Sequence, residues 1–182
     1  MKRFLFTFIL IMLVLFGMKM LPSVQQAVVE PWTTLIARAS IAIVRWLEPN
    51  VITFGRVMRS PSANFGVSVD PLCSGLEACI VLTAGILAFP ATWRERLGGL
   101  LLGFIAVQTV NLVRIVSLFF IGKTWGQHAF DIAHTYVWQA LIVLSVIIFW
   151  LLWVRYVSRN QQRRDAERDA ARTFHWPMED VK

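Results

Sequence analysis

Long apolar runs, broken by short polar or basic stretches, set the pattern of this chain. The first begins at Phe4 after Lys2-Arg3, passes Met18 and Lys19 to Leu21, and stops at Pro22. It starts like a secretory signal, but Leu21-Pro22-Ser23-Val24-Gln25 has no small-x-small cleavage site, so residues 1–22 read as an uncleaved signal anchor. Residues 31–48 differ in kind. On a helical wheel Trp32, Leu35, Ile36, Ala39, Ile43, Trp46 and Leu47 gather on one side, and Thr34, Arg38, Arg45 and Glu48 on the other. That pattern predicts a helix lying in the membrane interface. Ile41 and Val44 interrupt the polar face, which leaves a short spanning helix open. Turn signals follow at Pro49-Asn50, Gly55, Ser60-Pro61-Ser62 and Gly66, and Val67-Ser68-Val69-Asp70 alternates like an extended piece. This polar connection, up to Leu72, is expected to shape a binding surface over the cysteine that comes next.

The remaining runs read as spans. Residues 76–89 reach bilayer length only if extended from Ser74 to Trp93. The basic turn around Arg94-Glu95-Arg96 is expected on the cytoplasmic side, which puts Cys73 at the outer end. Residues 97–122 then run outward, interrupted by Gln108, Asn111 and Arg114 on one helical face. Lys123 to His128 makes an outer loop, and Asp131 caps a last span over 132–156. Arg155, Arg159, Arg163 and Arg164 return the chain to the cytoplasm. The expected fold is an all-α polytopic membrane helical bundle of about four transmembrane helices plus an N-proximal interfacial amphipathic helix. It divides into a signal anchor (1–22), an interfacial helix and outer loop (23–72), a helical core (73–157) and a charged tail (158–182). That tail is expected to be a frayed helix with a disordered end.

Composition agrees with that picture. Of 182 residues 57% are hydrophobic, with eight Trp and thirteen Phe, too apolar for an ordinary soluble domain. The net charge of +7 sits at the edges of the apolar runs and in the tail, which fits a lipid bilayer and not nucleic acid. Cys73 and Cys79 share one helical stretch, where the geometry does not suit a disulfide, so both are expected as free thiols.

The chemistry begins at Cys73. If a helix starts near Ser74 or Gly75, its free N–H groups and positive dipole end bias that thiol toward thiolate. A small buried side chain is the plainer alternative. Arg114, inside an apolar span, is costly there by roughly 2.5 to 3.5 kcal/mol on insertion scales and needs a partner or a task. An ion pair with Glu77 is one candidate partner. The topology brings Cys73, Arg114 and His134 to similar depth near the outer face, on three neighbouring helices. A nucleophile, a cation for an oxyanion and an acid/base group are the parts of acyl transfer. His128 is a competing histidine, whereas His175 falls in the cytoplasmic tail. No metal-ligand spacing and no cofactor motif is evident. Two other classes stay open: a membrane scaffold or assembly factor glued by Glu77, Gln108, Asn111 and Arg114, and a small transporter subunit.

Leu72-Cys73-Ser74-Gly75-Leu76, Asn111-Leu112-Val113-Arg114-Ile115 and Phe130-Asp131-Ile132-Ala133-His134 resemble, in order and spacing, the three signature blocks of the exosortase/archaeosortase family. The small size and the Phe-Asp-x-x-His form are most similar to the exosortase H branch. The resemblance covers roughly residues 71–153 and implies a multi-pass cysteine protease/transpeptidase of the bacterial inner membrane. Its implied partners are exported proteins carrying a C-terminal motif, a transmembrane helix and a basic end; for the H branch the motif is Ile-Pro-Thr-Leu-like. The acceptor is not named by the resemblance. By position, Cys73 would be nucleophile, Arg114 transition-state stabiliser and His134 general acid/base, with Asn111, Glu77, Ser74 and Gly75 in support. This chain has fewer spans than the larger family members.

Overall fold

A computed structural model describes residues 2–61, 63 and 65–174. The tail beyond Phe174, with His175, lies outside the described residues. The elements are α1 (Lys2–Met20), α2 (Pro22–Val24), a π turn (Gln25–Val29) and α3 (Glu30–Leu47), then β1 (Ile52–Phe54), β2 (Val57–Ser60) and β3 (Phe65–Ser68). A 3-10 turn (Pro71–Cys73) leads into α4 (Leu76–Ala88), α5 (Trp93–Ile132), a second π turn (Ala133–Val137) and α6 (Trp138–Phe174). The protein is an all-α membrane bundle, with a small antiparallel sheet of order β1-β2-β3 inserted between α3 and α4.

Apolar length decides which helices can span. Lys2–Met20, Pro22–Leu47 and the continuous stretch Trp93–Ala171 are long and apolar enough to cross a membrane, while Leu76–Ala88 is shorter. That last helix stops well short of the expected 74–93, because Gly75 precedes it in a left-handed conformation and the chain leaves it in an extended conformation at Phe89, just before Pro90. The stretch from Trp93 reverses at Gly126 (φ 80°, ψ −176°), the one non-helical residue inside it. A single glycine therefore does the work expected of a loop over Lys123–His128. Asp131 does not cap a new helix; it accepts a hydrogen bond from Gln127 at 2.9 Å. The charged tail stays helical through Phe174 as the end of α6.

The register of α5 against α6 is set at one end by Arg164, which donates to Glu95 at 2.9 Å, and by Trp153, whose indole N–H donates to the Glu95 carbonyl at 3.1 Å. Gly99 lets the Trp153 ring lie directly on the α5 backbone. Leu82, Ile86, Val107, Val146, Trp153 and Val157 form the core of this end of the bundle. Helix α1 runs antiparallel to α4: Phe4 and Gly85 both lie at Trp150 of α6 at one end, and Lys19 pairs with Glu77 at the other. Glu77 is thus engaged by Lys19, and the considered pair with Arg114 does not form.

Helix α3 packs against the far half of α5, with Ile36, Ala37, Ile41 and Val44 against Ile115 and Phe119. Its buried face holds small polar residues as well as apolar ones. Thr33 and Ser40 are inside, each bonded to its own helix at Val29 and Ile36, while Leu35, Ile43, Trp46 and Leu47 face outward. A helix next to lipid buries small residues against its neighbours and turns large apolar ones outward. The extended piece anticipated at 67–70 is realised as β3 and the residues after it, with Val69 N–H donating to Arg56 at 3.0 Å.

Depth along α5 follows from helical rise. Nineteen residues separate Glu95 from Arg114, about 28 Å at 1.5 Å per residue, close to the ~30 Å thickness of a hydrocarbon core. Gly99 tests the packing directly. A Cβ there would fall 2.3 Å from the Trp153 indole nitrogen, whereas at Gly98 it would meet nothing within 4 Å. Gly99→Ala is expected to cost about 1–3 kcal/mol by overpacking, and Gly98→Ala to be neutral or stabilising, as read from thermal unfolding of the detergent-solubilised protein.

Candidate active site

The turn that carries Cys73 is built by local chemistry. Pro71 opens it with a fixed φ, Cys73 N–H donates to the Asp70 carbonyl at 2.8 Å, and Ser74 donates to the Pro71 carbonyl from both N–H (3.2 Å) and hydroxyl (2.6 Å). Gly75 then adopts φ +74°. A side chain at Gly75 would be strained by that conformation and would press within 3.1 Å of the Asn111 and Gln108 amides. Two further side chains hold the turn from outside it. Asn111 Nδ2 donates to the Cys73 carbonyl at 3.0 Å, and Trp32 Nε1 to the Ser74 carbonyl at 3.3 Å.

His134 comes from the π turn after α5. Its ring stacks on Phe130 at 5.5 Å with a 12° interplanar angle, and its Nε2 lies 3.5 Å from Cys73 Sγ. Arg114 comes from the middle of α5, is only 6% exposed, and makes no salt bridge among the described residues. Its Nε has no hydrogen-bond partner, nor has Asn111 Oδ1 beside it. Cys73, Arg114 and His134 line one cavity, walled further by Asp70, Gln127 and Phe130.

The electrostatics of Cys73 differ from the thiolate expectation. Burial pushes the thiol above its ordinary value, Arg114 pulls the other way, and Asp70 adds to the rise. Burial is the largest cause; Cys73 itself ends a 3-10 turn and is separated from α4 by Ser74 and the left-handed Gly75. The arrangement is a resting thiol beside an imidazole that can take its proton, with a buried cation where negative charge would develop.

The residues expected from sequence divide accordingly. Cys73, Arg114 and His134 are brought together; Ser74, Gly75 and Asn111 shape the backbone under the thiol. Glu77 is outside the cavity and bound to Lys19. His128 is exposed and not part of the cavity wall. Cys79 faces Gln108, whose Nε2 lies 3.6 Å from its sulfur, and both cysteines are free thiols. Sequence reasoning missed Trp32 as a partner of the cysteine turn, because its place on the wheel assigned it to the apolar side of an interfacial helix. It also missed Phe130 as the platform for His134, although their i, i+4 spacing was a readable signal. Among the described residues no cluster of three or more His, Cys, Asp and Glu side chains could hold a metal ion.

A multi-pass helical membrane protein with a thiol, an imidazole and a guanidinium that makes no salt bridge among the described residues, all in one cavity, is the class this fold and site define. The family model for transmembrane exosortases matches residues 2–153, so the chain belongs to the transmembrane exosortase family. The match starts at α1 and takes in α3 and the sheet, well before the three blocks legible in sequence. No curated protein and no solved structure matches the chain.

Thiol alkylation tests the electrostatics. Because Arg114 lowers the Cys73 value, Arg114→Gln raises it and leaves less thiolate at a given pH. The alkylation rate at pH 8 is expected to fall in that variant and its pH midpoint to move upward, measured by mass spectrometry of the Cys73 peptide.

Proposed function

We propose that the protein is a membrane-embedded cysteine transpeptidase that cleaves a C-terminal sorting signal from exported proteins and transfers the product to an acceptor through a thioester on Cys73. The observation that carries this reading is the 3.5 Å approach of Cys73 Sγ to His134 Nε2 in a cavity shared with Arg114. A buried guanidinium with no salt bridge among the described residues favours this reading over a scaffold, in which such a charge would be paired.

The mechanism follows from the parts. A substrate's transmembrane tail lies beside the bundle and its motif reaches the cavity. His134 takes the thiol proton as Sγ attacks the scissile carbonyl, and Arg114 neutralises the oxygen of the tetrahedral intermediate. Collapse of that intermediate breaks the C–N bond, and the imidazolium gives its proton to the departing amine. The thioester on Cys73 is then attacked by an acceptor nucleophile or water, with His134 again as base. The basic residues around Glu95 favour a cytoplasmic position for that end and for both termini, in the inner membrane of a bacterium. The site, about 28 Å further along α5, then sits near the outer face.

Substrate processing in membranes, with variants at matched expression, tests the reading. Cys73→Ala is expected to abolish processing. His134→Ala should lower it by about 10²–10⁴-fold, and Arg114→Lys, which keeps charge but loses the guanidinium fork, by on the order of 10²-fold. Normal processing by Cys73→Ala would remove the nucleophile and bring the scaffold reading forward.

A further inference from the structure

Strand β3 is bonded on one side only. It pairs with β2 through Val57–Ser68, Met58–Val67, Arg59–Gly66 and Ser60–Phe65, and among the described residues no strand lies beyond it. The bond from Val69 N–H to Arg56 fixes which backbone groups face inward. By alternation Val67 and Phe65 also turn theirs toward β2, so Gly66 and Ser68 direct N–H and C=O to the open edge. Neither has a backbone partner there among the described residues.

That edge is a wall of the active-site cavity. Residues 66 to 70 line it without a gap, together with Cys73, Arg114 and His134. A strand presenting a face would contribute every second residue; an unbroken run means that the edge itself is presented. The edge also leads to the nucleophile. Its far end, Phe65, packs on Gly122, while Cys73 is held by Asn111, about 16 Å nearer Glu95 along α5. Gly66 and Ser68, both small and exposed, leave room for a second backbone.

We propose that the open edge of β3 is the docking strand for substrate: the residues preceding the scissile bond add to it as a fourth, parallel strand and deliver the reacting carbonyl to Cys73. This rests on the transpeptidase reading and extends it to how the substrate is held. The recognised chemistry is an extended peptide backbone with unmethylated amides. Parallel polarity follows because the acyl segment lies along the edge and the leaving segment continues toward the helices. Alternate side chains of the bound strand face Phe130 and Gln127 across the cavity, which is where sequence preference would arise.

The test uses full-length protein in lipid nanodiscs and a tetra-alanine chloromethyl ketone, which places a short extended peptide on the acyl side of an electrophile. Two isomers of this probe, N-methylated on alternate amides, and iodoacetamide complete the set. The expected result is that one isomer labels Cys73 about five- to tenfold more slowly than the parent, as for one lost hydrogen bond, and the other at the parent's rate. Ser68→Pro, which removes an open-edge N–H and leaves pairing with β2, should slow the parent probe similarly without changing the iodoacetamide rate. Equal labelling by all three peptides, or equal loss with both isomers, would overturn the docking strand. Substrate processing that still depended on Cys73 would then leave the transpeptidase reading standing, so the two failures are distinguishable.

Discussion

Arg114 is a full charge buried in the middle of an apolar helix, and the rest of the site is arranged around the consequences of leaving it unneutralised. Placing such a group inside a bilayer costs roughly 2.5 to 3.5 kcal/mol on insertion scales, a cost usually offset by a carboxylate. Of the acids that could have served, Glu77 lies in the first turn of α4 and is held by Lys19, and Asp70, in the cavity wall, makes no salt bridge with Arg114. With Glu77 occupied, the guanidinium keeps its capacity for charge that appears during reaction. The same cation opposes the rise that burial imposes on the Cys73 thiol. In the proposed mechanism one group therefore favours the nucleophile before attack and the oxyanion after it.

Geometry at the nucleophile depends on packing that is remote in sequence. The Cys73 and Ser74 carbonyls are fixed by side chains from two different helices, Asn111 on α5 and Trp32 on α3. A left-handed Gly75 between that turn and α4 lets Asn111 and Gln108 come close. His134 is set by its stack on Phe130, and Phe130 in turn meets Phe65 of β3. The sheet, the α5 reversal and the histidine thus form one contiguous apolar support beside the polar cavity.

Much of this was legible in the chain because apolar runs and basic breaks are strong, local signals. The three blocks around Cys73, Arg114 and His134 were readable for the same reason, each being short and contiguous. What escaped depended on contacts between distant segments or on single dihedral angles. Nothing local marks Lys19 as the partner of Glu77, since that pair depends on α1 packing against α4. The reversal itself was legible as the loop expected over Lys123–His128, but its concentration at Gly126 was not, because a positive φ at one residue leaves no composition signal. The wheel groups Leu35 and Trp46 on the side of α3 that turns outward, but it gives no sign that Thr33 and Ser40 are buried, because it ranks residues by polarity and not by fit against a neighbouring helix. The thiolate expectation for Cys73 fails because burial, which no local pattern reveals, pushes the thiol up.

The central claim is that Cys73 carries a covalent acyl intermediate assisted by His134 and Arg114. Intact-mass spectrometry of the membrane-embedded protein, quenched in acid during turnover with an exported substrate and no acceptor, tests it most directly. The account predicts a mass increase equal to the acyl product of cleavage, mapped to Cys73 and released by hydroxylamine as expected for a thioester. Cleaved substrate accumulating with no adduct on Cys73 at any quench time, and with cleavage undiminished in Cys73→Ala, would contradict it.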